Sequence, residues 1–566
     1  MDTAKGENKS PHNHNKDDAT EGGGGAVGGC DANSCTNGHT IAEAIQDGPQ
    51  PAKISKLQET QEPQTIDLSL NQCYTSEDYA TKLQKQWFSD QSEDYKDSDT
   101  NVEVYNDPFQ ICLLPGLLKN KESCKLLMEE MVKKVHWSRK QMDLYEFYQS
   151  TDLSNMIECK FLANFLQMLR RSVRPWLERV TNLKLDYVSA SCSMYTCGDY
   201  LLVHDDLLKD RQVAFIYYLS PWEGNEEWQD EHGGCLEIFS SDEKCLPRFP
   251  VQRKISPKNN QFAFFKVGSK SFHQVGEVTT FDYPRLTING WFHGASNEDL
   301  IADALRPFSK LKFKPPIAVS AECSVNRLLN EVYLKPTTKR SIQKRIEDNS
   351  EICLYEFFRR EIFEEALKQL LTDDKLLWSR KGPANAQNFE ILDLKTTSKT
   401  LAQIIELFSN TEMFSLLRDY TDLDLSGDNA TNPMFTLEIQ RWSHGDYTVL
   451  GDGAICDDNT LDLIYYLNAA EGAAVITYLS PDTDGAAANA YPTQKSAADD
   501  QSDTDSLEGE GFDDDDESVL LTISPVDNAL NIVYRCEGTT KFTKYVSRNT
   551  PLDKGPVFVI SCSYKE

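Results

Sequence analysis

A set of short strings in the middle of this chain returns, in the same order, towards its C-terminus. Gly198-Asp199-Tyr200 recurs as Gly445-Asp446-Tyr447, Ile216-Tyr217-Tyr218-Leu219 as Ile464-Tyr465-Tyr466-Leu467, and Ser256-Pro257 with Asn260 as Ser524-Pro525 with Asn528. Upstream, Ile111-Cys112-Leu113 ahead of a helical stretch is matched by Ile352-Cys353-Leu354 ahead of a helix from Glu361 to Leu371. A solenoid would show more copies at shorter intervals, so this spacing predicts one large domain built twice in tandem. From Val188 to His293, short runs rich in Val, Ile, Phe and Tyr are broken by Gly, Pro and Asn-Asn, the mark of many short antiparallel strands. Helical patterning precedes them, in residues 124–132 and 161–180. Helices followed by strands predict a mainly β, α+β architecture, a barrel or jelly roll with helices packed outside it.

Composition narrows the function classes. The 566 residues, 39% hydrophobic and 10% aromatic, suffice for two or three cores. No apolar run approaches the 18 residues or so of a membrane span, and Met1-Asp2-Thr3-Ala4-Lys5 lacks the shape of a signal peptide, so a soluble intracellular protein is expected. Fifteen cysteines, an odd number scattered through core-like segments, read as reduced thiols. A net charge of −31 disfavours direct binding to a nucleic acid backbone and favours a basic protein partner. Residues 1–65, rich in Gly, Asn, Asp and Ser, read as a disordered tail, with order beginning near Tyr79. Within the tail, Cys30, Cys35 and His39 would make a zinc site only with His12 or His14 as fourth ligand. Residues 482–518 hold thirteen Asp or Glu and one Lys; they read as a solvated acidic insertion, with capture of a basic client as the alternative.

The chemistry sits in the first copy. His204-Asp205-Asp206 is followed 67 residues later by His273 and 12 further on by Arg285. Two imidazoles and one carboxylate on one face of an iron leave three adjacent positions open, as a metal needs to hold a co-substrate and then O2. A guanidinium can hold the far carboxylate of a diacid such as 2-oxoglutarate at two points. A lone His-x-Asp triplet is more often an ordinary surface turn; the set is what carries the reading. If residues 204–206 are strand, His204 and Asp206 project on one face and Asp205 points away. In Arg285-Leu286-Thr287-Ile288-Asn289, alternation puts Arg285, Thr287 and Asn289 on the inward face, where an unpaired arginine would be costly without a bound anion or a structural carboxylate. His232 reads as a loop residue and His293 as a strand-end residue. The second copy has Gly451, Asp452 and Gly453 in place of the triplet and His444 as its only histidine, so it cannot build the same centre.

Together, Leu202-Val203-His204-Asp205-Asp206, Ala214-Phe215-Ile216-Tyr217-Tyr218-Leu219, Gly233-Gly234-Cys235-Leu236, Ser271-Phe272-His273-Gln274-Val275 and Asn289-Gly290-Trp291-Phe292-His293-Gly294 resemble the ribosomal prolyl 3-hydroxylases. The resemblance covers nearly all of the chain after the tail. It implies two tandem double-stranded β-helix domains, residues 66–305 and 306–566, of which only the first is catalytic. It implies Fe(II) held by His204, Asp206 and His273, 2-oxoglutarate held by Arg285 and Tyr218, and ascorbate as a supporting reductant. The implied reaction uses O2 to hydroxylate a proline in a basic small-subunit ribosomal protein, affecting translation, in the cytoplasm and nucleus. The alternatives are a related oxygenase acting on another residue or client, and a non-catalytic scaffold for translation factors.

Overall fold

The computed structural model describes residues 68–89, 93–221, 227–297, 312–427, 432–449, 458–480 and 519–566. The N-terminal tail with its cysteines, the acidic insertion and Gly451–Gly453 lie outside these residues. The first strand system comprises β1 (Tyr95–Lys96), β2 (Glu103–Tyr105), β3 (Ile111–Pro115), β4 (Ser138–Gln141), β5 (Tyr145–Asp152), β6 (Leu185–Tyr195) and β7 (Tyr200–His204). It continues with β8 (Arg211–Tyr218), β9 (Leu236–Ser241), β10 (Pro247–Ile255), β11 (Gln261–Lys266), β12 (His273–Val275) and β13 (Arg285–Gly294). Neighbours run β1-β2-β3-β11-β8-β13-β6-β5-β7-β12-β9-β10, with β4 on β5, and every pairing is antiparallel.

Strand alternation sorts this system into two faces. Along β8, Val213, Phe215 and Tyr217 join Phe262, Phe264, Leu286 and Ile288 under the helices, against Leu162, Phe165, Leu169 and Leu177. The alternate residues Ala214, Ile216 and Tyr218 turn the other way and meet Leu236, Ile238 and Phe265, so β8, β11 and β13 face β9 across an apolar interior. Burying each such Leu or Phe contributes about 1.5–3 kcal/mol. The helices lie where periodicity predicts them, at Lys121–Lys134 and from Lys160 to Thr181, the second passing through a π turn at Leu169–Val173. That turn precedes Pro175, whose ring leaves the ladder without a donor. Helix Glu77–Trp87 and strands β1 and β2 extend order upstream and around Tyr79.

The second system comprises β14 (Glu351–Leu354), β15 (Trp378–Lys381), β16 (Gln387–Leu392), β17 (Met434–Trp442), β18 (Tyr447–Thr448), β19 (Thr460–Leu467) and β20 (Ile476–Leu479). The remainder are β21 (Val519–Ile523), β22 (Leu530–Arg535), β23 (Thr540–Thr543) and β24 (Val557–Lys565). Their order, β14-β22-β19-β24-β17-β16-β15 with β18 on β16, beside a separate sheet β21-β20-β23, parallels that of the first system from β3 onward, β14 standing where β3 stands, but without the pairing that joins β7 to β12 there. The repeated strings do the same work in both. Asn260, at φ 59°, pairs both its amide atoms with the Leu118 backbone and accepts from the Tyr217 hydroxyl. Asn528, at φ 55°, does so with Phe358 and Tyr465. Asp199 caps the Thr196 amide and pairs with Arg139, as Asp446 caps Ser443 and pairs with Arg380.

Candidate active site

His204 ends β7 and His273 begins β12, and the register sets them directly opposite one another, with ring centroids 4.2 Å apart. Asp206 completes the group: its Oδ1 lies 3.7 Å from His204 Nε2 and its Oδ2 3.5 Å from His273 Nε2. One ligand atom from each of the three lies within 4.8 Å of the others, and all three residues are buried. Among the described residues no other group of three possible ligands comes together this way.

The reason Asp206 reaches that point differs from the one alternation suggests. β7 stops at His204, and Asp206 sits beyond it in the left-handed region, at φ 64°. Asp205 does not simply point away. Its carboxylate accepts from the Leu207 amide at 3.0 Å, an Asx turn that folds the chain back, and its carbonyl accepts from Ser271 Oγ at 2.7 Å, two residues before His273.

The ring orientations suit a metal. Nδ1 of His204 lies 2.8 Å from the Leu202 carbonyl and Nδ1 of His273 2.7 Å from the Ser271 carbonyl. A carbonyl only accepts, so both Nδ1 atoms carry a proton, and both Nε2 atoms face Asp206. Burial, reinforced by the His204 charge, pushes His273 down to about 4, against the pull of Asp206, so the ring is neutral at pH 7. Burial opposes the charge of Asp206, yet His204, His273 and Arg211 outweigh it and hold the carboxyl below its usual range. A neutral His273 beside an ionised carboxylate suits a hard-to-borderline divalent ion such as Fe(II).

Arg285 opens β13 with 1% of its surface exposed, and among the described residues it forms no ion pair. Its Nε and Nη2 are buried without a hydrogen-bond partner, as is the Tyr218 hydroxyl. The guanidinium lies 5.0 Å from the Tyr195 ring and 5.3 Å from that of Tyr218. Aromatic faces offset only part of the cost of a buried cation, so the residues here fit an anion. Burial raises Tyr218 to about 12 despite the Arg285 charge, which keeps the phenol a donor. A dicarboxylate would satisfy all three orphaned atoms. Thr287 is buried on the same face, its hydroxyl 3.3 Å from Asn289 Oδ1.

Three participants have roles that no local pattern assigns. Arg211 lies 3.5 Å from Asp206 Oδ1 and stacks 3.5 Å over Trp291, whose indole nitrogen is buried without a partner. Gly234, at φ +64°, makes room for the clamp, since a Cβ there would lie 3.1 Å from Arg285 Cδ and 2.9 Å from Val278 Cγ2. The remaining histidines near the barrel are structural. His293 bridges Asp210 and Ser189 against the Tyr187 ring, and His232 caps its own turn and meets Tyr283.

Two family models match the chain: the 2OG-Fe(II) oxygenase superfamily over residues 190–293, and the oxoglutarate and iron-dependent oxygenase degradation C-terminal domain over residues 321–566. Prolyl 3-hydroxylase sudestada1 of Drosophila melanogaster is 64% identical over 525 residues, 92% of this chain and 95% of that protein. The chain belongs to the prolyl 3-hydroxylase family. It is an enzyme, a 2-oxoglutarate-dependent dioxygenase. More distant members of the prolyl 3-hydroxylase family include prolyl 3-hydroxylase OGFOD1 of Mus musculus, 32% identical over 56% of each chain. Prolyl 3,4-dihydroxylase OGFOD1 of Ostreococcus tauri is 26% identical over 75% of this chain and 89% of that protein. The first model spans His204, Asp206, Tyr218, His273 and Arg285, so the residues that converge in space also fall within the one matched oxygenase segment.

Proposed function

We propose that this enzyme adds one hydroxyl to C3 of a proline in a basic protein of the small ribosomal subunit, with Fe(II) at His204, Asp206 and His273 and 2-oxoglutarate at Arg285 and Tyr218. The buried guanidinium with orphaned nitrogens, over the Tyr218 ring in the interior whose Phe265 also packs on His273, carries the reading, because it calls for a carboxylate in the same interior as the His-Asp-His cluster. When bound, iron and 2-oxoglutarate supply the oxidation: one O2 is consumed, one of its atoms entering succinate and the other the proline, with release of CO2. His204 and His273, locked by the Leu202 and Ser271 carbonyls, keep their Nε2 lone pairs on one point. Asp206 supplies the negative charge that two neutral imidazoles lack. Arg285 fixes the remote carboxylate, and the Tyr218 hydroxyl donates to the same group. Leu207, Ile238 and Phe265 wall the interior against water. Ascorbate is the supporting reductant of this scheme.

The two strand systems are, on this proposal, two copies of one double-stranded β-helix domain, residues 66–305 and 306–566, and only the first is catalytic. Their shared strand order supports it, as does what stands at the second set of positions. Thr287 faces Tyr218 as Val559 faces Tyr466, so Val557 occupies the place of Arg285. Gly276 donates to the Cys235 carbonyl as Lys544 donates to that of Val475, which puts Lys541 at the place of His273. Lys541 is itself held 2.8 Å from the fully buried Asp462.

The net charge of −31 and the acidic insertion support a basic client, and the family resemblance supports the ribosomal one. We propose cytoplasm and nucleus as its location on the same resemblance. The test is mass spectrometry of small-subunit ribosomal proteins incubated with the purified enzyme, Fe(II), 2-oxoglutarate and O2. One oxygen atom on a single proline is expected. Two would mark the dihydroxylation named for the Ostreococcus relative, and oxidation of another residue type, or of none, would overturn the proposal.

A further inference from the structure

The second strand system packs on the back of the strands that carry the site. Tyr200 and Leu202, on the strand ending in His204, join Leu144 and Tyr447 in one apolar cluster, and the Tyr545 ring lies tilted with its centroid 4.2 Å from that of Tyr200. Ala384 packs with Val203 and Phe272, the neighbours of His204 and His273, and its amide donates to the Pro247 carbonyl. These contacts are apolar and forgiving. The polar one is not.

Glu277 lies four residues after His273 and is 7% exposed. Among the described residues it has no ion-pair partner, and its carboxylate is met instead by donors from one short tract of the second system. The Tyr545 hydroxyl donates to Oε2 at 3.1 Å, the Ser547 hydroxyl donates to Oε1, and the Arg548 amide lies 2.9 Å and 3.0 Å from the two oxygens. A buried carboxylate stripped of such donors costs several kcal/mol, so the tract and the glutamate hold one another in a single geometry.

The backbone of Glu277 leads into both halves of the site. Its carbonyl accepts from the Gly234 amide at 3.0 Å, and a Cβ on Gly233 would lie 1.9 Å from that same oxygen. Gly234 is the residue whose missing side chain accommodates Arg285 Cδ. Next along, the Val278 amide donates to the Asp199 carbonyl and its carbonyl accepts from Gly198, just before the strand of His204. Behind it, Val275 pairs with Leu201 and Leu236, continuous with His273. A displacement of Glu277 is therefore passed to the His273 strand on one side and to the Arg285 cradle on the other.

We propose that Glu277 is a positioning residue through which the Tyr545–Arg548 tract of the second strand system sets the iron and 2-oxoglutarate sites of the first. The second system thus acts on catalysis by holding the site's frame, with no ligand of its own required. This rests on the site assignment above, and the test separates the two. In the full-length protein, 2-oxoglutarate is titrated anaerobically into the Fe(II)-loaded enzyme and followed by the visible charge-transfer absorption of the ferrous keto-acid complex, with bound iron measured in parallel. Glu277→Ala should weaken the midpoint about 10- to 100-fold, the range for residues that orient ligands from behind, while its far-ultraviolet circular dichroism stays that of wild type. Glu277→Gln, which keeps one accepting oxygen, should recover part of the loss. The double variant Tyr545→Phe/Ser547→Ala should weaken binding in the same direction and add nothing further in the Glu277→Ala background. If Glu277→Ala does not fold, the Gln and Tyr545/Ser547 variants decide alone. A wild-type midpoint in every folded variant, or full additivity of the two sets of changes, would overturn the proposal. Absence of the absorption in the wild type would instead strike the site assignment, and this inference with it.

Discussion

His273 shows how much of the site is a matter of environment. Burial, helped by the His204 charge, holds the ring neutral down to about 4, whereas in an unfolded chain it protonates near 6.5. The folded state therefore resists a proton that the unfolded state accepts. The metal-free protein is at full stability on this account above pH 6.5, and loses it as pH falls from 6.5 towards 4. Urea unfolding of chelator-treated protein across that window checks it. In His273→Leu the decline should be shallower, and an identical pH dependence in the two proteins would mean that the ring does not titrate as described. At this scale the sequence was informative about identity more than cause. The proposed ligand set His204, Asp206 and His273, which the structure brings together, is legible from spacing and resemblance, and the inward face of Arg285 from the alternation Arg-x-Thr-x-Asn. Arg211, Trp291 and Gly234 are not, because their roles arise from contacts across the interior rather than from any local pattern.

Strands place the site, but a turn aims it. The two histidines owe their approach to the register of β7 on β12, and Asp206 owes its position to the left-handed turn that Asp205 stabilises. Period-two alternation anticipates that 204 and 206 share a direction; the two side chains do converge, but by another route, since the strand has already ended. Asp205→Ala removes the turn's acceptor while leaving every ligand in place. One such hydrogen bond contributes roughly 1 kcal/mol, so the iron requirement should rise about fivefold, and Asp205→Asn, which keeps an acceptor, should stay close to wild type. An iron titration of turnover distinguishes the two. Equal requirements in wild type and Asp205→Ala would show that Asp206 holds its place without the turn. The helices were easier to read, because amphipathic stripes at residues 124–132 and 161–180 are long and strongly periodic. The small strands β1 and β2 were not, being two and three residues long.

Across the whole molecule, the repeat visible in the sequence corresponds to repeated hydrogen bonding, Asn260 with Tyr217 and Asn528 with Tyr465, and to one strand order drawn twice. What sequence comparison of the copies could not supply is the contact between them. Glu277 and Ser547 are 270 residues apart, and neither belongs to a recognisable motif. On the two-copy proposal, the divergence is more chemical than architectural. On the proposed correspondence His273 is matched by Lys541 paired to Asp462, and Arg285 by Val557, so the second system has a paired cation and an apolar side chain where the first has orphaned donors. The claim on which the rest depends is that those donors await a carboxylate. It is tested most directly by titrating 2-oxoglutarate, without O2, into Fe(II)-loaded wild type and Arg285→Ala. Losing a two-point charged contact worth about 2–4 kcal/mol should raise the midpoint roughly 30- to 1000-fold with iron content unchanged. A folded, iron-loaded Arg285→Ala that binds 2-oxoglutarate as the wild type does would contradict the account.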